Sequence, residues 1–330
     1  MNITLFIPGR VPVSYYGGTQ RVMYHLGHEL ARMGHNISLM ADAGSYAPWA
    51  NVIVRNASRP IDQQIPTNTD ILHFQDNPVS DNLPIPYIVT CHGNANYLSD
   101  ESRRFSVYVS KNHAQRFGCD TWVHNGLDWD EYGRVDLTRN RKGFHFLGKA
   151  AWRIKNVKGA IDVALGAAPR QTIEIMGGSR LNFKMGFRMT WNPRAHFLGQ
   201  VNDITKKYVI ERSQGLIFPV KWHEPFGLAV TESLYLGAPV FATPYGSLPE
   251  LVNEEVGFLT DSKSDMISAL HQVHIYSPNK CHEYARDCFN SRLMAERYVS
   301  IYERVLNGEV LNKHPRQCDR IQTDKLPWHE

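Results

Sequence analysis

The sequence predicts an α/β protein built from two doubly wound, Rossmann-like domains. Short apolar segments alternate with amphipathic helical segments over the 330 residues, and this alternation favours parallel sheets covered by helices. The pattern restarts after a basic, polar stretch at 139–143. A chain of this length also corresponds to about two domains. The predicted domains are 1–140 and 141–310, followed by a tail at 311–330 that returns toward the first domain.

The first predicted domain opens with a strand, a helix and a second strand. Residues 3–7 are apolar, and from Thr19 onward the apolar residues recur at helical spacing. Gly34 is expected to end this helix, and the second strand to begin at Asn36. Further buried strands are predicted at 70–74, 87–91, 105–109 and 122–123.

The second predicted domain repeats the alternation. Strands are expected at 144–147, 172–176, 196–198, 215–219 and 240–242, and helices at 159–165 and 228–236. In doubly wound sheets the ligands bind at the carboxyl ends of the strands. Candidate functional residues are therefore expected in the loops that follow the strands.

Composition narrows the function only slightly. A formal net charge of +4 gives no broad case for nucleic-acid binding, but it suits nucleoside diphosphates or an anionic membrane surface. The five cysteines lack the spacing of a disulfide framework or a zinc site, which favours a reducing cytosol. Metal ligation by Cys281, His282 and Cys288 is disfavoured because no second ligand cluster exists. The first residues predict a strand rather than a signal peptide, and no apolar run is long enough to span a bilayer.

The most informative segment is 223–232, with the sequence His-Glu-Pro-Phe-Gly-Leu-Ala-Val-Thr-Glu. Gly227 permits a close backbone turn, and the residues from Phe226 onward would present unpaired amides at a helix N-terminus, which suits a phosphate. Glu232 would accept hydrogen bonds from a ribose diol, and Glu224 would hold the hydroxyls of a sugar. The alternative for Glu232 is a carboxylate favoured at the helix start only by the helix dipole.

This segment resembles the E-x7-E signature of family 4 of the retaining glycosyltransferases (glycosyl transferases group 1). These enzymes have the GT-B fold, in which two Rossmann-like domains face each other across a cleft. Other landmarks of the family recur in order along most of the chain. They are Gly17-Gly18-Thr19, Gly34-His35, Asp70-Ile71-Leu72-His73, Thr90-Cys91-His92-Gly93, Val109-Ser110, Asn125-Gly126-Leu127-Asp128, Lys158-Gly159, Phe197-Leu198-Gly199 and Gly257-Phe258-Leu259.

The resemblance implies that 1–140 binds the acceptor and that 141–310 binds a nucleotide-sugar donor. Glu232 would bind the ribose of the nucleotide, and Glu224 the transferred sugar. Lys158 and a nearby arginine would neutralise the leaving diphosphate, and His92 would contact the donor sugar near the reaction centre. The remaining implied donor-binding residues are Gly17, Gly18, Gly177, Leu198, Phe226, Gly227 and Leu228.

Simpler interpretations exist for several of these residues. Lys158 is otherwise a solvated lysine at a strand-to-helix junction, His92 a histidine hydrogen-bonded at a strand end, and the pair Gly17-Gly18 a turn. The sequence also departs from the family after Gly148, where additional residues separate two basic candidates. Lys149 directly follows the glycine, whereas Arg153 has the expected spacing to Lys158, which favours Arg153 as the phosphate ligand.

The resemblance implies front-face transfer, in which the leaving phosphate helps to deprotonate the acceptor hydroxyl, and no metal or other cofactor is expected. A UDP-sugar is the favoured donor, with a GDP-sugar as the alternative, and the acceptor would be a glycan or a lipid-linked glycan of a surface polysaccharide or lipopolysaccharide. Two hypotheses compete: a nucleotide-sugar epimerase or hydrolase of the same architecture, and a non-catalytic sugar-nucleotide-binding partner. A dinucleotide oxidoreductase is disfavoured because no G-x-G-x-x-G follows the first strand.

A second unusual segment is 180–191. If it is helical, Arg180, Lys184 and Arg188 fall on one stripe, flanked by stripes of aromatic, leucine and methionine residues. This combination suits an anionic membrane interface and a lipid-linked acceptor, which would place a cytoplasmic protein on the inner face of the cytoplasmic membrane. The simpler interpretation is a surface helix that buries one apolar side, with Gly186 and Pro193 limiting its length.

Overall fold

The computed structural model describes residues 1–13, 17–75, 83–94, 98–183, 185, 187–315 and 325–330. Within these residues the chain divides into two compact units. The first contains Met1–Trp129 together with 289–315, and the second contains Asp130–Cys288 together with 325–330. Each unit has one six-stranded sheet whose paired strands are all parallel. The predicted α/β fold with two Rossmann-like domains is therefore confirmed.

The first unit is built mainly from the first nine helices and strands. These are β1 (Asn2–Phe6), α1 (Gly18–Arg32), β2 (Asn36–Ala41), β3 (Asn51–Val54), β4 (Ile71–Gln75), β5 (Tyr87–Cys91), α2 (Asp100–Arg104), β6 (Ser106–Tyr108) and α3 (Lys111–Arg116). The strand order is β3-β2-β1-β4-β5-β6, which reverses direction between β1 and β4 as in a doubly wound sheet. The apolar side chains of β4 and β5 are buried, as expected for strands covered on both faces.

The second unit contains the elements that follow. They are β7 (Phe144–Leu147), α4 (Val157–Ala167), β8 (Ile173–Met176), β9 (Leu181–Asn182), β10 (Arg188–Met189), β11 (Ala195–Gly199), α5 (Asp203–Ile210), β12 (Leu216–Phe218), α6 (Leu228–Tyr235), β13 (Val240–Ala242), α7 (Leu248–Leu251), β14 (Gly257–Leu259), α8 (Lys263–His271) and α9 (Pro278–Cys288). The sheet order is β11-β8-β7-β12-β13-β14. Counted within the unit, this is the same order as in the first sheet.

The last helix, α10 (Ser291–Leu306), returns the chain to the first unit. Two tyrosines on α10 reach a buried polar group of the first sheet. The hydroxyl of Tyr302 lies 2.7 Å from Nδ1 of His73, and the hydroxyl of Tyr298 lies 2.8 Å from Oγ1 of Thr90. The other ring nitrogen of His73 is 2.7 Å from the same threonine oxygen. His73 is therefore a core residue of the first unit.

The division of the chain differs from the predicted boundaries. The first unit ends at Trp129 rather than near residue 140, because Tyr132 and Asp136 are already bonded to Glu232 and Glu211 of the second unit. The helix α10 joins the first unit instead of the second. The start of the tail, 311–315, lies on the first unit as predicted, where Nδ2 of Asn312 donates to the carbonyl of Ser106 over 2.8 Å. The described end of the tail lies on the second unit, where the amide of Leu326 donates to the carbonyl of Lys221 over 2.8 Å.

The segment 180–191 is not the predicted helix. Its described residues form an antiparallel hairpin, in which β9 pairs with β10 through Asn182 opposite Arg188 and Leu181 opposite Met189. Lys184 and Gly186 lie outside the described residues. None of the helices in the described part of the chain is long and apolar enough to cross a membrane.

Candidate functional site

The loop between β12 and α6 carries the first predicted glutamate. Gly227 has a φ of +103°, a left-handed conformation that costs glycine little and turns the chain into α6. The backbone of Glu224 is held by the loop that contains Gly246. Glu224 and Gly246 form an isolated parallel bridge, and the amide of Ser247 donates to the Glu224 carbonyl over 2.9 Å. The buried Glu224 carboxylate is thereby fixed at the carboxyl edge of the second sheet, where doubly wound proteins bind ligands.

The Glu224 carboxylate is paired with a buried lysine. The ammonium group of Lys155 donates to Oε2 of Glu224 over 2.5 Å, and the indole N–H of Trp222 donates to the same oxygen over 2.8 Å. The Lys155 ammonium also lies 4.7 Å from the ring centroid of Trp222 and 5.1 Å from that of Phe218. A buried carboxylate needs this kind of pairing, because an unpaired charge is strongly disfavoured away from water.

The second glutamate, Glu232, has a similar arrangement one turn into α6. It is buried, and its Oε1 atom accepts hydrogen bonds from the hydroxyl of Tyr132 and from the ammonium group of Lys206. Lys206 is also bonded to Asp203 of the same helix over 2.8 Å. Tyr132 and Lys206, which both belong to the second unit, thus fix the position of one carboxylate oxygen of Glu232.

The two glutamates flank the N-terminal end of α6. The helix begins at Leu228, so that its first-turn amides carry the positive end of the helix dipole. The carbonyl of Phe226 accepts a hydrogen bond from the hydroxyl of Ser247, which fixes the loop before the helix. Two paired carboxylates and a helix N-terminus form an arrangement that suits a phosphorylated, hydroxyl-rich ligand.

The three basic candidates from the sequence all have exposed side chains. Lys149 lies over the ring of Trp152 at 4.8 Å from its centroid, whereas Arg153 and Lys158 are exposed at the turn before α4 and in its first turn. Burial raises the pKa of Asp162, one turn after Lys158, and the charge of Lys158 opposes that shift. The lysine that reaches Glu224 is Lys155 and not Lys158, while the choice between Lys149 and Arg153 as phosphate ligand stays a prediction.

Gly177 and Leu198 lie at the carboxyl ends of β8 and β11. Gly177 has a φ of +113°, and a Cβ atom there would lie 2.2 Å from the carbonyl oxygen of Gly148. Its amide donates to the carbonyl of Gly199 over 2.7 Å. The glycine therefore allows three loops to meet at this edge of the sheet. Leu198 is partly exposed.

The other predicted residues belong to the first unit. His92 directly follows β5 and its Nε2 atom is hydrogen-bonded to Oε1 of Gln75, the last residue of β4. Gly17 caps α1, and a Cβ atom there would lie 2.9 Å from Val13. Gly18 is the first residue of α1. These residues lie at the carboxyl ends of β1 and β5, the edge at which ligands are expected.

Four residues of the second unit escaped the prediction from sequence. They are Tyr132, Lys155, Lys206 and Trp222. Tyr132 and Lys206 are separated from Glu232 by 100 and 26 residues, so no local motif connects them. Lys155 immediately precedes Asn156, whose side chain caps α4 by accepting from the amide of Gly159 over 3.2 Å, but the sequence does not separate it from Lys149 and Lys158.

The sequence also contains one D-x-D spacing, Asp128-Trp129-Asp130. The Asp128 carboxylate accepts a hydrogen bond from Arg32 over 2.8 Å and lies 3.5 Å from Nδ1 of His28. The Asp128 amide donates to Nδ1 of His25 over 3.0 Å. This aspartate therefore stabilises the packing of α1 in the first unit.

Residues 138–286 match the family model of glycosyl transferases group 1. An uncharacterised 41.2 kDa protein in the cps region of Klebsiella pneumoniae is 34% identical over 95 residues, which cover 27% of this chain and 26% of that protein. The chain thus spans about a quarter of the length of the curated relatives it matches.

Two solved structures share the fold over nearly the whole chain. The first is AviGT4, a glycosyltransferase involved in avilamycin A biosynthesis, with a TM-score of 0.75 and 19% identity over 93% of this chain and 98% of that one. The second is HepE of Anabaena in complex with UDP and glucose, with a TM-score of 0.64 and 15% identity over 91% of this chain and 99% of that one. The fold is therefore that of the GT-B glycosyltransferases.

Proposed function

We propose that this protein is a retaining glycosyltransferase of family 4 that transfers a hexosyl group from a nucleoside diphosphate sugar to an acceptor hydroxyl. The observation that carries the proposal is the arrangement of Glu224 and Glu232, two buried carboxylates on either side of the N-terminus of α6. Both lie within the segment that matches the glycosyl transferases group 1 model. This combination is what the E-x7-E signature predicts for a donor site.

In the proposed donor complex, Glu232 binds the ribose diol and Glu224 binds hydroxyls of the transferred sugar. The amides at the start of α6 bind the diphosphate. Lys155, with Lys158 and either Arg153 or Lys149, balances the negative charge that develops on the diphosphate as the glycosidic bond breaks. Charge stabilisation of this kind lowers the barrier most when the cations are already in place before the reaction.

The first unit is proposed to bind the acceptor, and the resemblance implies that His92 of this unit contacts the transferred sugar. Retention of configuration is proposed to result from front-face attack, in which a phosphate oxygen of the leaving group takes the proton of the acceptor hydroxyl. The residues assigned to the site include no pair of carboxylates with the roles of nucleophile and acid. The proposal therefore includes no covalent enzyme intermediate. The resemblance to family 4 also implies no metal or other cofactor.

The proposed process is synthesis of a surface polysaccharide, a lipopolysaccharide or a related glycan in the cytoplasm. Support comes from the Klebsiella relative, whose description places it in a cps region. A UDP-sugar is the first donor to assay, since HepE was solved with UDP and glucose, and a GDP-sugar is the alternative. The acceptor is proposed to be a glycan or a lipid-linked glycan.

The test is a binding and transfer assay with the full chain. A thermal-shift panel of nucleoside diphosphates and their sugars identifies the donor, because a selective ligand stabilises the folded state. Transfer is then measured with candidate acceptors, and the anomeric configuration of the product is read by NMR. Rapid conversion of the donor in the absence of any acceptor would favour an epimerase or hydrolase. Binding without turnover under all conditions would favour a non-catalytic partner.

A further inference from the structure

The hairpin formed by β9 and β10 has its apolar side chains on one face. From 180 to 192 every odd-numbered residue is apolar, namely Leu181, Phe183, Met185, Phe187, Met189 and Trp191, whereas the even-numbered residues are polar, basic or glycine. All six of these apolar residues are exposed, whereas the described even-numbered residues from 180 to 192 are half-buried, so the apolar side chains share the outer face. The register agrees, since Leu181 is opposite Met189 and Asn182 is opposite Arg188.

The apolar face of this hairpin is the one exposed to solvent. Phe183, Phe187 and Trp191 are 68%, 67% and 79% exposed. The rings of Phe183 and Phe187 are 5.7 Å apart and form one continuous surface. A contiguous exposed apolar patch of this kind marks an interaction surface, whereas single exposed apolar residues do not.

The polar face of the hairpin is fixed to its own domain. Arg180 donates to the carbonyls of Thr190, Asn192 and Ala195 at 3.3, 3.0 and 2.6 Å. Arg188 donates to the carbonyl of Ser179 over 2.8 Å, and its guanidinium lies 5.1 Å from the ring centroid of Phe197 on β11. These bonds hold the hairpin with its arginines inward, so the outward direction of the aromatic residues is built into the fold.

The charges around the hairpin favour an anionic partner over a second copy of the same surface. Between Glu174 and Asp203 the sequence contains no acidic residue, but it contains the basic residues Arg180, Lys184, Arg188 and Arg194. Two copies of this surface would bring like charges together, which opposes self-association. Arg180, Arg188 and Arg194 stay partly exposed although they donate to backbone carbonyls, so their charges still attract an anionic surface.

We propose that this hairpin docks the protein on an anionic phospholipid bilayer, with Phe183, Phe187 and Trp191 inserted among the lipid headgroups. Aromatic rings are favoured at the headgroup level, and basic residues near them add attraction to anionic lipids. This role rests on the hairpin alone and does not depend on the proposed sugar transfer. It differs from the membrane helix considered from the sequence, because the apolar face and not the basic stripe makes the contact.

Co-sedimentation with vesicles tests the proposal. Wild-type protein is expected to sediment with equimolar phosphatidylglycerol and phosphatidylcholine vesicles, and much less with phosphatidylcholine alone. The triple variant Phe183→Ser/Phe187→Ser/Trp191→Ser is expected to lower the partition coefficient at least about tenfold, because each substitution removes an apolar side chain from the interface. The matched control is Ile204→Ser/Tyr208→Ser, which changes two residues that are 80% and 58% exposed elsewhere in the second unit.

Unchanged binding of the control and unchanged thermal unfolding of both variants would support the proposal. Three results would overturn it: no sedimentation of the wild-type protein, equal sedimentation of the triple variant, or an equal loss in the control. If instead sedimentation velocity shows a wild-type dimer that the triple variant abolishes, with no binding to vesicles, the partner is a second copy and the membrane assignment is wrong.

Discussion

The Nζ atom of Lys155 lies 2.5 Å from Oε2 of Glu224, and the two side chains are only 10% and 9% exposed. Each charge therefore depends on the other for its stability in a site with little water. Removal of one partner of a buried ion pair leaves an uncompensated charge, whereas replacement of both with apolar side chains often restores stability.

Lys155→Met is expected to lower the free energy of unfolding by roughly 3 kcal/mol or more, because Glu224 loses its buried counter-charge. The double variant Lys155→Met/Glu224→Leu is expected to recover part of this loss. Urea unfolding at neutral pH measures both values. Lys158→Met is the control and is expected to change stability by less than about 0.5 kcal/mol, because Lys158 is exposed. Equal losses for the two lysine variants would contradict the pairing.

Glu232→Gln is expected to weaken binding of the nucleoside diphosphate about tenfold, because hydrogen bonds to a charged acceptor are stronger than those to an amide. The substitution keeps the shape of the side chain and one acceptor for Tyr132. Isothermal titration calorimetry with UDP provides the measurement. Glu255→Gln is the matched control, since Glu255 is an exposed glutamate of the same unit that is paired with Lys280. Identical affinities for the two variants would count against a ribose-binding role for Glu232.

Gly246→Ala is expected to disturb the Glu224 loop. A Cβ atom at this position would lie 2.3 Å from the carbonyl oxygen and 2.4 Å from the amide nitrogen of Glu224, which are backbone atoms that cannot move away cheaply. Gly199→Ala isolates the contribution of the dihedral angle, because Gly199 has nearly the same φ, +70° against +69°, and nothing within 4 Å of the added carbon. The strain alone costs about 1–2 kcal/mol.

The clash in Gly246→Ala is expected to add a further loss of stability beyond that of Gly199→Ala, together with a fall in donor turnover of about a hundredfold if Glu224 shifts by an ångström. Urea unfolding and initial rates of transfer measure the two effects. A Gly246→Ala variant no less stable than Gly199→Ala would show that the bridge between Gly246 and Glu224 is not formed.

The stability of the second unit is expected to fall as the pH drops below neutrality. Burial, with the nearby charge of Arg141, lowers the pKa of His145 to about 3, whereas an unfolded histidine titrates near 6.5. Between these values the unfolded chain binds the additional proton, so stability is greatest above about pH 6.5 and is lost toward pH 3. One such group contributes at most about 1.4 kcal/mol per pH unit.

The substitution His145→Gln is expected to reduce the slope of the unfolding free energy against pH by up to about 1.4 kcal/mol per pH unit between pH 4 and pH 6. Urea unfolding at several pH values gives the slope. The variant also loses hydrogen bonds to Ser213 and Ser233, so its stability at pH 7 falls as well. Phe146→Leu, a buried substitution in the same strand, is the control for this loss and is expected to keep the wild-type slope.

Much of the fold was predictable because its signals are local. Ten of the twelve strands in the two sheets were predicted from short apolar runs, whereas β3 and β14 were not, and α1 ends close to the predicted Gly34. The hairpin at 181–189 was mispredicted, because Arg180, Lys184 and Arg188 have helical spacing while the apolar residues alternate with a period of two. In such a short segment the two periods compete, and the glycine at position 186 was the signal for a turn.

The part of the site that lies within one sequence motif was predictable. Glu224, Gly227 and Glu232 lie within nine consecutive residues, and the fold places them around one helix start. Their counter-charges were not predictable in the same way. Lys206 reaches Glu232 from α5, and only the packing of two helices brings these residues together. Three lysines lie between Gly148 and Gly159. Lys155, which pairs with Glu224, differs from the other two because it is buried and not because of its spacing.

The first domain is completed by a helix that is encoded near the other end of the chain. Until α10 arrives, His73 and Thr90 lack the tyrosine hydroxyls that bond to them in the finished sheet. On the ribosome, the nascent first domain therefore stays incomplete while Asp130–Cys288 of the second domain is being translated. A gene fragment that stops at residue 129 would encode a sheet without this covering helix, and it is expected to require added 289–315 peptide to become resistant to protease.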